Sequence, residues 1–290
     1  MSHNFIHSTH ILSSNEHSTH VFLKGFDIDT LSHGRIVRSG YPRVDLTLNA
    51  DPDRRLALKR RLGVDDGRRI VLYAPTWRGT HAEPEQETET LCAEISALSK
   101  LDCHLLFRGH TLSGSFDENI TVPDDITTNE LLSIVDVLVT DYSSVLFDFL
   151  PARKPVILFI KDYEQYLRDR GLYFGIEEIP ATTARALPAL LDRVREAVEG
   201  RLDEDPELRE RALRKFCPEE DGHACERAAR LILEDPRLPR EQVDTGKRRI
   251  LIFGGRMIPN GISASLLHLL DSLDESKVEV TLLVEPENIN

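Results

Sequence analysis

Short apolar runs alternate with helix-like stretches through the middle of the chain. The apolar runs occupy residues 70–74, 103–107, 136–139 and 155–160. Apolar residues recur at helical spacing at residues 91–100, 129–135, 145–149, 185–199, 206–216 and 222–234. Apolar runs of this length, bounded by turn residues, are typical of buried strands. The pattern therefore predicts an α/β fold, with a Rossmann-like parallel sheet and helices on both faces.

The stretches on either side of this series divide the chain into four predicted regions. Residues 1–45 contain two short strands and one helix, which cannot bury a core alone, so we expect them to be the end of an incomplete N-terminal Rossmann-like domain. Within them, residues 40–45 (Gly-Tyr-Pro-Arg-Val-Asp) predict a hinge. The main Rossmann-like domain is predicted over residues 46–235, a linker over 236–246, and the truncated start of a further β-α-β domain over 247–290.

Composition and charge narrow the classes of function. The net charge of −13 argues against a nucleic-acid partner. The four cysteines include no Cys-x-x-Cys pair, and no acidic or cysteine ligand is suitably placed beside the histidines near the start of the chain, so no metal site is predicted. A basic cluster at residues 54–61 predicts either a solvated helix face or a patch for anionic lipid.

Residues 136–149 carry the clearest sign of chemistry. A predicted strand ends in residues 140–144 (Thr-Asp-Tyr-Ser-Ser) and leads directly into a predicted helix. Phosphates bind at the carboxyl edge of open α/β sheets, where the N–H groups and dipole of a helix start favour an anion. Ser143 and Ser144 add hydroxyl donors there. The alternative is that one serine merely caps the helix, although neither is followed by the Glu or Gln of a capping box.

Three further polar side chains follow predicted strands. Arg78 follows the first apolar run, and Arg108 and His110 follow the second. Arginine can bind two phosphate oxygens at once, and histidine can hydrogen-bond a phosphate or exchange a proton near neutral pH. Taken singly, each residue could be a surface residue without a role. Because the carboxyl ends of parallel strands open on one edge, we expect these loops to converge.

A set of short motifs occurs over about residues 5–235. They are residues 8–12 (Ser-Thr-His-Ile-Leu), 40–43 (Gly-Tyr-Pro-Arg), 73–78 (Tyr-Ala-Pro-Thr-Trp-Arg), 107–110 (Phe-Arg-Gly-His), 140–144, 147–149 (Phe-Asp-Phe), 154–156 (Lys-Pro-Val), 216–218 (Phe-Cys-Pro) and 221–223 (Asp-Gly-His). In identity and order they resemble the CDP-glycerol glycerophosphotransferases, which build teichoic-acid-like poly(glycerol phosphate) chains. Two departures are that Thr111 stands where many members have proline, and that the family's Trp-His-Gly-Thr-type segment is not found.

The resemblance implies a GT-B-type architecture, in which an acceptor-side domain (here 1–45) and a donor-binding domain (here 46–235) face a cleft. It implies metal-independent transfer of glycerol phosphate from CDP-glycerol, or a related CDP-polyol, to a lipid-linked or glycan acceptor. This would occur at the cytoplasmic face of the membrane, with the chain in peripheral contact. Residues 247–290 resemble instead the start of a nucleotide-sugar glycosyltransferase domain.

The resemblance also implies roles for individual residues. Arg108 and His110 would be catalytic and neutralise the transferred phosphate. Ser143, Ser144 and the N–H groups after Thr140 would hold the CDP pyrophosphate. The full set of donor-binding residues is Arg78, Thr140, Asp141, Tyr142, Ser143, Ser144, Asp148, Asp221 and Gly222, and the helix that begins near the last two would close over the nucleoside.

Two other functions remain open on the sequence. A GT-B glycosyltransferase using a nucleotide sugar is favoured by residues 247–290 but not by residues 140–144. A nucleotide-binding module without turnover is favoured because the Trp-His-Gly-Thr-type segment, whose histidine is the family's candidate base, is not found.

Overall fold

The computed structural model describes residues 8–25, 35–76, 84–109, 120–234, 247–255, 261–274 and 276–284. The chain divides into two compact units, Met1–Glu234 and Asp235–Asn290. The finer division into four regions stays a prediction.

The first unit begins with a small parallel sheet. Strands β1 (His10–Ser13) and β2 (Arg35–Arg38) pair in parallel, and helix α1 (Glu16–His20) follows β1 and continues as a π-helical turn, Val21–Gly25. Asn15 caps α1, since its side-chain oxygen accepts a hydrogen bond from the Ser18 N–H at 2.8 Å. The predicted strand, helix and strand are confirmed.

Two helices follow β2. They are α2 (Pro42–Asn49) and α3 (Pro52–Arg61). Proline is the first residue of each, where the N–H that it lacks would be unpaired in any case. The predicted hinge at residues 40–45 was therefore too long, because a helix already begins at Pro42.

A five-stranded parallel sheet forms the centre of the first unit. Its strands are β3 (Ile70–Ala74), β4 (His104–Phe107), β5 (Val137–Thr140), β6 (Val156–Phe159) and β7 (Thr182–Ala184). They lie in the order β4-β3-β5-β6-β7. The predicted parallel sheet is confirmed, and β7 was not predicted.

Helices cover both faces of this sheet. The helices of the first unit that follow α3 are α4 (Pro84–Leu98), α5 (Thr128–Leu132), α6 (Val145–Phe149, extended by a 3₁₀ turn, Leu150–Ala152), α7 (Tyr163–Asp169), α8 (Leu187–Val198), α9 (Pro206–Phe216) and α10 (Ala224–Leu233), with a further 3₁₀ turn at Ile176–Glu178. Successive side chains of β3 point to opposite faces of the sheet. Ile70 and Leu72 belong to the core on one face, and Val71 and Tyr73 belong to the core on the other. All of these are buried, as expected for a strand covered on both faces.

The helix predicted at residues 91–100 begins earlier in the structure, because α4 starts at Pro84.

The second unit contains strand β8 (Arg248–Gly255), helix α11 (Gly261–Asp271) and strand β9 (Val278–Val284). The two strands pair in parallel, which confirms the predicted β-α-β order. Across both units, none of the described helices combines the length and the apolar character needed to cross a membrane.

Candidate functional site

The order of the central sheet reverses between β3 and β5. The chain moves outward from β3 to β4 and then returns to place β5 on the other side of β3. In open parallel sheets, ligands bind beyond the carboxyl ends of the strands at such a point. Residues 75–76 and 140–144 leave the sheet there, so the topology brings two of the predicted loops together.

The side chains of Thr140 and Asp141 fasten these loops to one another. The Asp141 carboxylate accepts hydrogen bonds from the Thr76 N–H (3.0 Å to each oxygen), the Thr76 hydroxyl (2.5 Å) and the Tyr142 N–H (2.6 Å). The Thr140 hydroxyl donates to the Ala74 carbonyl oxygen at 2.7 Å. Both residues are buried. Their geometry is that of positioning residues that shape the site.

Tyr142 belongs to a separate contact. Its ring stacks on Tyr166 with a centroid distance of 3.7 Å, and its hydroxyl donates to Asp162 at 3.1 Å. These contacts tie the loop after β5 to the start of α7. The structure therefore gives Tyr142 a supporting place beside the site.

Ser143 and Ser144 differ in what their hydroxyl groups do. The Ser143 oxygen accepts a hydrogen bond from the Val145 N–H at 3.3 Å, as a helix cap does. Ser144 precedes α6 without a side-chain cap bond, and its side chain is exposed on a cavity. The cap interpretation thus describes Ser143, whereas Ser144 keeps the geometry expected for a ligand contact.

We expect Ser144→Ala to weaken binding of a phosphate-bearing ligand by about 0.5–3 kcal/mol and to leave the free energy of unfolding nearly unchanged. Ser143→Ala should instead lower the free energy of unfolding by about 1 kcal/mol, because it removes a cap. Calorimetric titration and urea unfolding of both variants measure the two effects. An unfolding loss for Ser144→Ala without an affinity loss would make Ser144 an ordinary cap.

The cavity beside Ser144 is lined by segments that follow strands of both sheets of the first unit, and we call it the two-sheet cavity. Its volume is about 280 Å³. Its polar lining comes from the segments that follow β1 (Asn15), β2 (Tyr41 and Arg43) and β5 (Ser144 and Asp148), together with Glu220. The carboxyl ends of three parallel strands therefore open onto one space.

An ion pair between the half-exposed Arg43 and the buried Asp148 lines this cavity. Arg43 Nε and Nη2 donate to the two oxygens of Asp148 at 2.8 and 3.0 Å. The hydrogen bonds that Arg43 donates to Asp148 raise the pKa of Arg43, so the guanidinium remains charged. This pair places Asp148, a predicted donor-binding residue, on the cavity with its carboxylate already neutralised by Arg43.

Glu220 is a second carboxylate on the cavity, and it is only 8% exposed. Both of its oxygens accept from the Tyr41 N–H, at 3.0 and 3.2 Å. Burial raises the pKa of Glu220 to about 7, with a smaller contribution in the same direction from Asp148. No described cation lies within ion-pair distance of it.

Three aromatic side chains also line the cavity. Phe147, Phe174 and Phe216 lie within 4.7–5.7 Å of one another by ring centroid. Asn15 fixes the neighbouring backbone, because its amide donates to the Phe216 carbonyl oxygen at 2.7 Å. The cavity therefore combines polar and apolar lining residues, as ligand pockets commonly do.

Arg108 stands at the carboxyl end of β4, as predicted. Its N–H donates to the Tyr73 carbonyl oxygen at 3.0 Å, whereas its buried Nη1 has no hydrogen-bond partner among the described residues. Burial lowers the pKa of Arg108. A half-buried guanidinium with a spare donor is suited to an anionic ligand. Arg78 and His110 lie outside the described residues.

Asp221 and Gly222 are not brought to the two-sheet cavity. The Asp221 carboxylate pairs with Arg227 Nη1 at 2.8 Å. The Gly222 carbonyl oxygen accepts from the Asn49 amide at 2.5 Å, and Gly222 lines a separate groove against α2 and α3. The predicted helix begins at Ala224, two residues later than Gly222.

The sequence reasoning missed Glu220 and the pairing of Arg43 with Asp148. Glu220 sits in a polar stretch, where a glutamate is usually exposed. Arg43 lies within the motif at residues 40–43, but its partner is 105 residues away. In the part of the chain that the structure describes, no three His, Cys, Asp or Glu side chains are grouped as a metal ion would require. The expectation of metal-independent chemistry stays a prediction.

Comparison with known proteins identifies the family. The family model described as CDP-Glycerol:Poly(glycerophosphate) glycerophosphotransferase matches residues 1–234, so the chain belongs to this family of transferases. The resemblance and the α/β fold class predicted from the sequence are confirmed.

Individual relatives agree with this assignment. The chain is 32% identical over 238 residues to the teichoic acid glycerol-phosphate transferase of Staphylococcus aureus, covering 78% of this chain and 60% of that protein. It is similar to a solved structure of the wall teichoic acid polymerase TagF, with a TM-score of 0.64 and 27% identity, covering 78% of this chain and 57% of that one. Another structure of TagF, a variant soaked with CDPG, gives a TM-score of 0.62 at 27% identity and covers 78% of this chain and 57% of that one. The chain thus spans somewhat over half the length of these relatives.

Proposed function

We propose that this chain binds CDP-glycerol, or a related CDP-polyol, and supplies mainly the donor-binding half of a glycerophosphotransferase. In this reaction, glycerol phosphate passes to a lipid-linked or glycan acceptor during synthesis of a teichoic-acid-like polymer. The observation that carries the proposal is the two-sheet cavity, onto which the carboxyl ends of β1, β2 and β5 open. The family's description, which names CDP-glycerol as donor and poly(glycerophosphate) as acceptor, supports it.

The polar groups of the site match a donor that has charged phosphates at its centre and uncharged groups at its ends. Arg108 offers an unpaired guanidinium nitrogen beyond β4, and Ser144 offers a hydroxyl beyond β5. Phosphate oxygens are bound in proteins by such donors. The aromatic and carboxylate walls of the two-sheet cavity suit the uncharged parts of the donor instead.

Peripheral contact with the membrane is part of the same proposal, because a lipid-linked acceptor is held there. The basic helix α3 gives it little support. Arg54, Arg60 and Arg61 each form an ion pair, with Glu130, Asp65 and Asp125. These pairs favour the solvated-face interpretation of residues 54–61.

A binding screen tests the proposed donor. Calorimetric titration of the chain with CDP-glycerol, CDP-ribitol, UDP-glucose and GDP-mannose should show binding of one or both CDP ligands. The β-α-β order of the second unit favours a nucleotide-sugar glycosyltransferase as the alternative. Tight binding of UDP-glucose with no response to either CDP ligand would establish that alternative and exclude our proposal.

Arg108→Ala should reduce the affinity for CDP-glycerol about 10- to 100-fold, because a hydrogen bond from a charged donor to phosphate is worth about 1.5–3 kcal/mol. The free energy of unfolding should change little, since Nη1 has no described partner to lose. Arg153→Ala is the control, because Arg153 forms an exposed ion pair with Glu210 elsewhere on the surface. Equal affinities of wild type and Arg108→Ala would remove Arg108 from the site.

A further inference from the structure

The carboxylate of Glu220 has unused hydrogen-bonding capacity inside the two-sheet cavity. A carboxylate has about four acceptor positions. In the described part of the chain, one donor reaches Glu220, the Tyr41 N–H, which both oxygens share. Buried polar groups are normally satisfied, so a carboxylate left in this state on a cavity wall is prepared to receive further donors.

The surroundings of Glu220 decide which kind of donor fits. The charged and titratable groups around it are Asp148 on α6, Tyr41 directly before α2, Arg43 and Asp45 on α2, the Cys217 thiol after α9, and His17 of α1, which lines the same cavity. Arg43 is already committed to Asp148 in a two-point ion pair. A phosphate at this position would meet an uncompensated carboxylate, whereas a neutral hydroxyl group would find an acceptor.

The size and the aromatic lining of the cavity also favour a ligand group that carries neutral hydroxyls. A volume of about 280 Å³ is below that of pockets that hold a whole drug-sized ligand, and it suits one sugar or polyol unit. Such a unit has C–H groups that can pack on Phe174 and Phe216 while its hydroxyl groups meet the polar lining residues, Glu220 among them.

We propose that Glu220 is the hydroxyl-binding residue of this site, accepting hydrogen bonds from a vicinal diol of the donor. The inference rests on the proposed function and deepens it. Two parts of CDP-glycerol carry such a diol, the ribose and the glycerol. Their shared chemistry is the pair of neighbouring hydroxyl groups, and Glu220 discriminates in favour of the ligand that retains them.

The test compares CDP-glycerol with two analogues, 2′-deoxy-CDP-glycerol and CDP-ethanol, each lacking one diol. Wild-type protein should bind one analogue about 10- to 100-fold more weakly than CDP-glycerol, the loss expected for a hydrogen bond to a charged group. In Glu220→Gln this affinity gap between CDP-glycerol and the analogue should shrink to a few-fold, since the amide is neutral and has one acceptor oxygen, which it shares with Tyr41. The analogue whose gap shrinks identifies the ribose or the glycerol.

A proton-linkage measurement separates this role from a structural one. Hydroxyl donors stabilise the ionised carboxylate, and a group with a pKa of about 7 is half protonated at pH 7. Binding of CDP-glycerol at pH 7 should therefore release about half a proton more in wild type than in Glu220→Gln. Calorimetry in two buffers with different ionisation enthalpies measures this difference.

Controls keep the outcomes distinct. Glu219→Gln changes the adjacent glutamate, which pairs with Arg38 on the surface, and it should keep both the gap and the proton release. Glu220→Asp retains the charge but withdraws it by one methylene, so it should narrow the gap while remaining folded. Unchanged gaps for both analogues and an unchanged proton count in Glu220→Gln would overturn the inference alone. A wild-type protein that binds no CDP ligand would overturn the proposed function and this inference together.

Discussion

Asp141→Ala should lower the free energy of unfolding by about 3 kcal/mol. The carboxylate is 5% exposed and accepts from the N–H and hydroxyl of Thr76 and from the N–H of Tyr142. Removing it leaves these donors without an ionised acceptor, and each buried donor left unsatisfied costs about 1–3 kcal/mol of stability. Urea unfolding measures the loss. Because the two loops then separate, affinity for CDP-glycerol should fall as well.

Asp51→Ala is a matched control for this effect. Asp51 also accepts from two backbone N–H groups, those of Asp53 and Arg54, but it does so at the exposed start of α3. Its loss should cost about 1 kcal/mol, the usual value for a helix cap, without changing ligand affinity. If the two alanine variants lose equal stability, Asp141 contributes no more to the free energy of unfolding than an ordinary helix cap, and the prediction is wrong.

The strands and helices that could be predicted are those whose burial produces a recognisable pattern of apolar residues along the sequence. Strands β3, β5 and β6 are covered on both faces, so each reads as a continuous apolar run. Strand β7 has three residues, of which only Ala184 is buried, and it shows no such run. Helix α7 buries none of its residues, so it lacks apolar periodicity. The missed elements are those whose stability comes from contacts that a short stretch of sequence does not show.

The candidate site was predictable to a similar degree. The loops after β3, β4 and β5 carry polar residues directly behind apolar runs, and the topology of a parallel sheet brings such loops to one edge. The sequence does not show which of these side chains form hydrogen bonds within the protein. Asp141 was predicted to bind the donor, and in the structure its carboxylate accepts hydrogen bonds from Thr76. Glu220 was not singled out, because its contact with Tyr41 joins residues 179 positions apart.

The region around Gly40 shows how closely the two-sheet cavity depends on the backbone that follows β2. Gly40 has a φ of +77°, a left-handed conformation that favours glycine. A Cβ atom built there would lie 2.6 Å from the Glu219 carbonyl oxygen and 3.0 Å from Glu220 Oε2. Any side chain at this position therefore adds a steric conflict with the segment that carries Glu220.

Gly40→Ala should lower the free energy of unfolding by about 2–5 kcal/mol, combining about 1–2 for the left-handed backbone with about 1–3 for overpacking. Gly63→Ala isolates the first contribution, because Gly63 has a φ of +66° and open space around its Cβ position. Urea unfolding of both variants should show the larger loss for Gly40→Ala, and only Gly40→Ala should also weaken CDP-glycerol binding by displacing Glu220. Equal losses in the two variants would mean that the segment at residues 219–220 yields to the added methyl group, and that the cavity wall is not fixed by this contact.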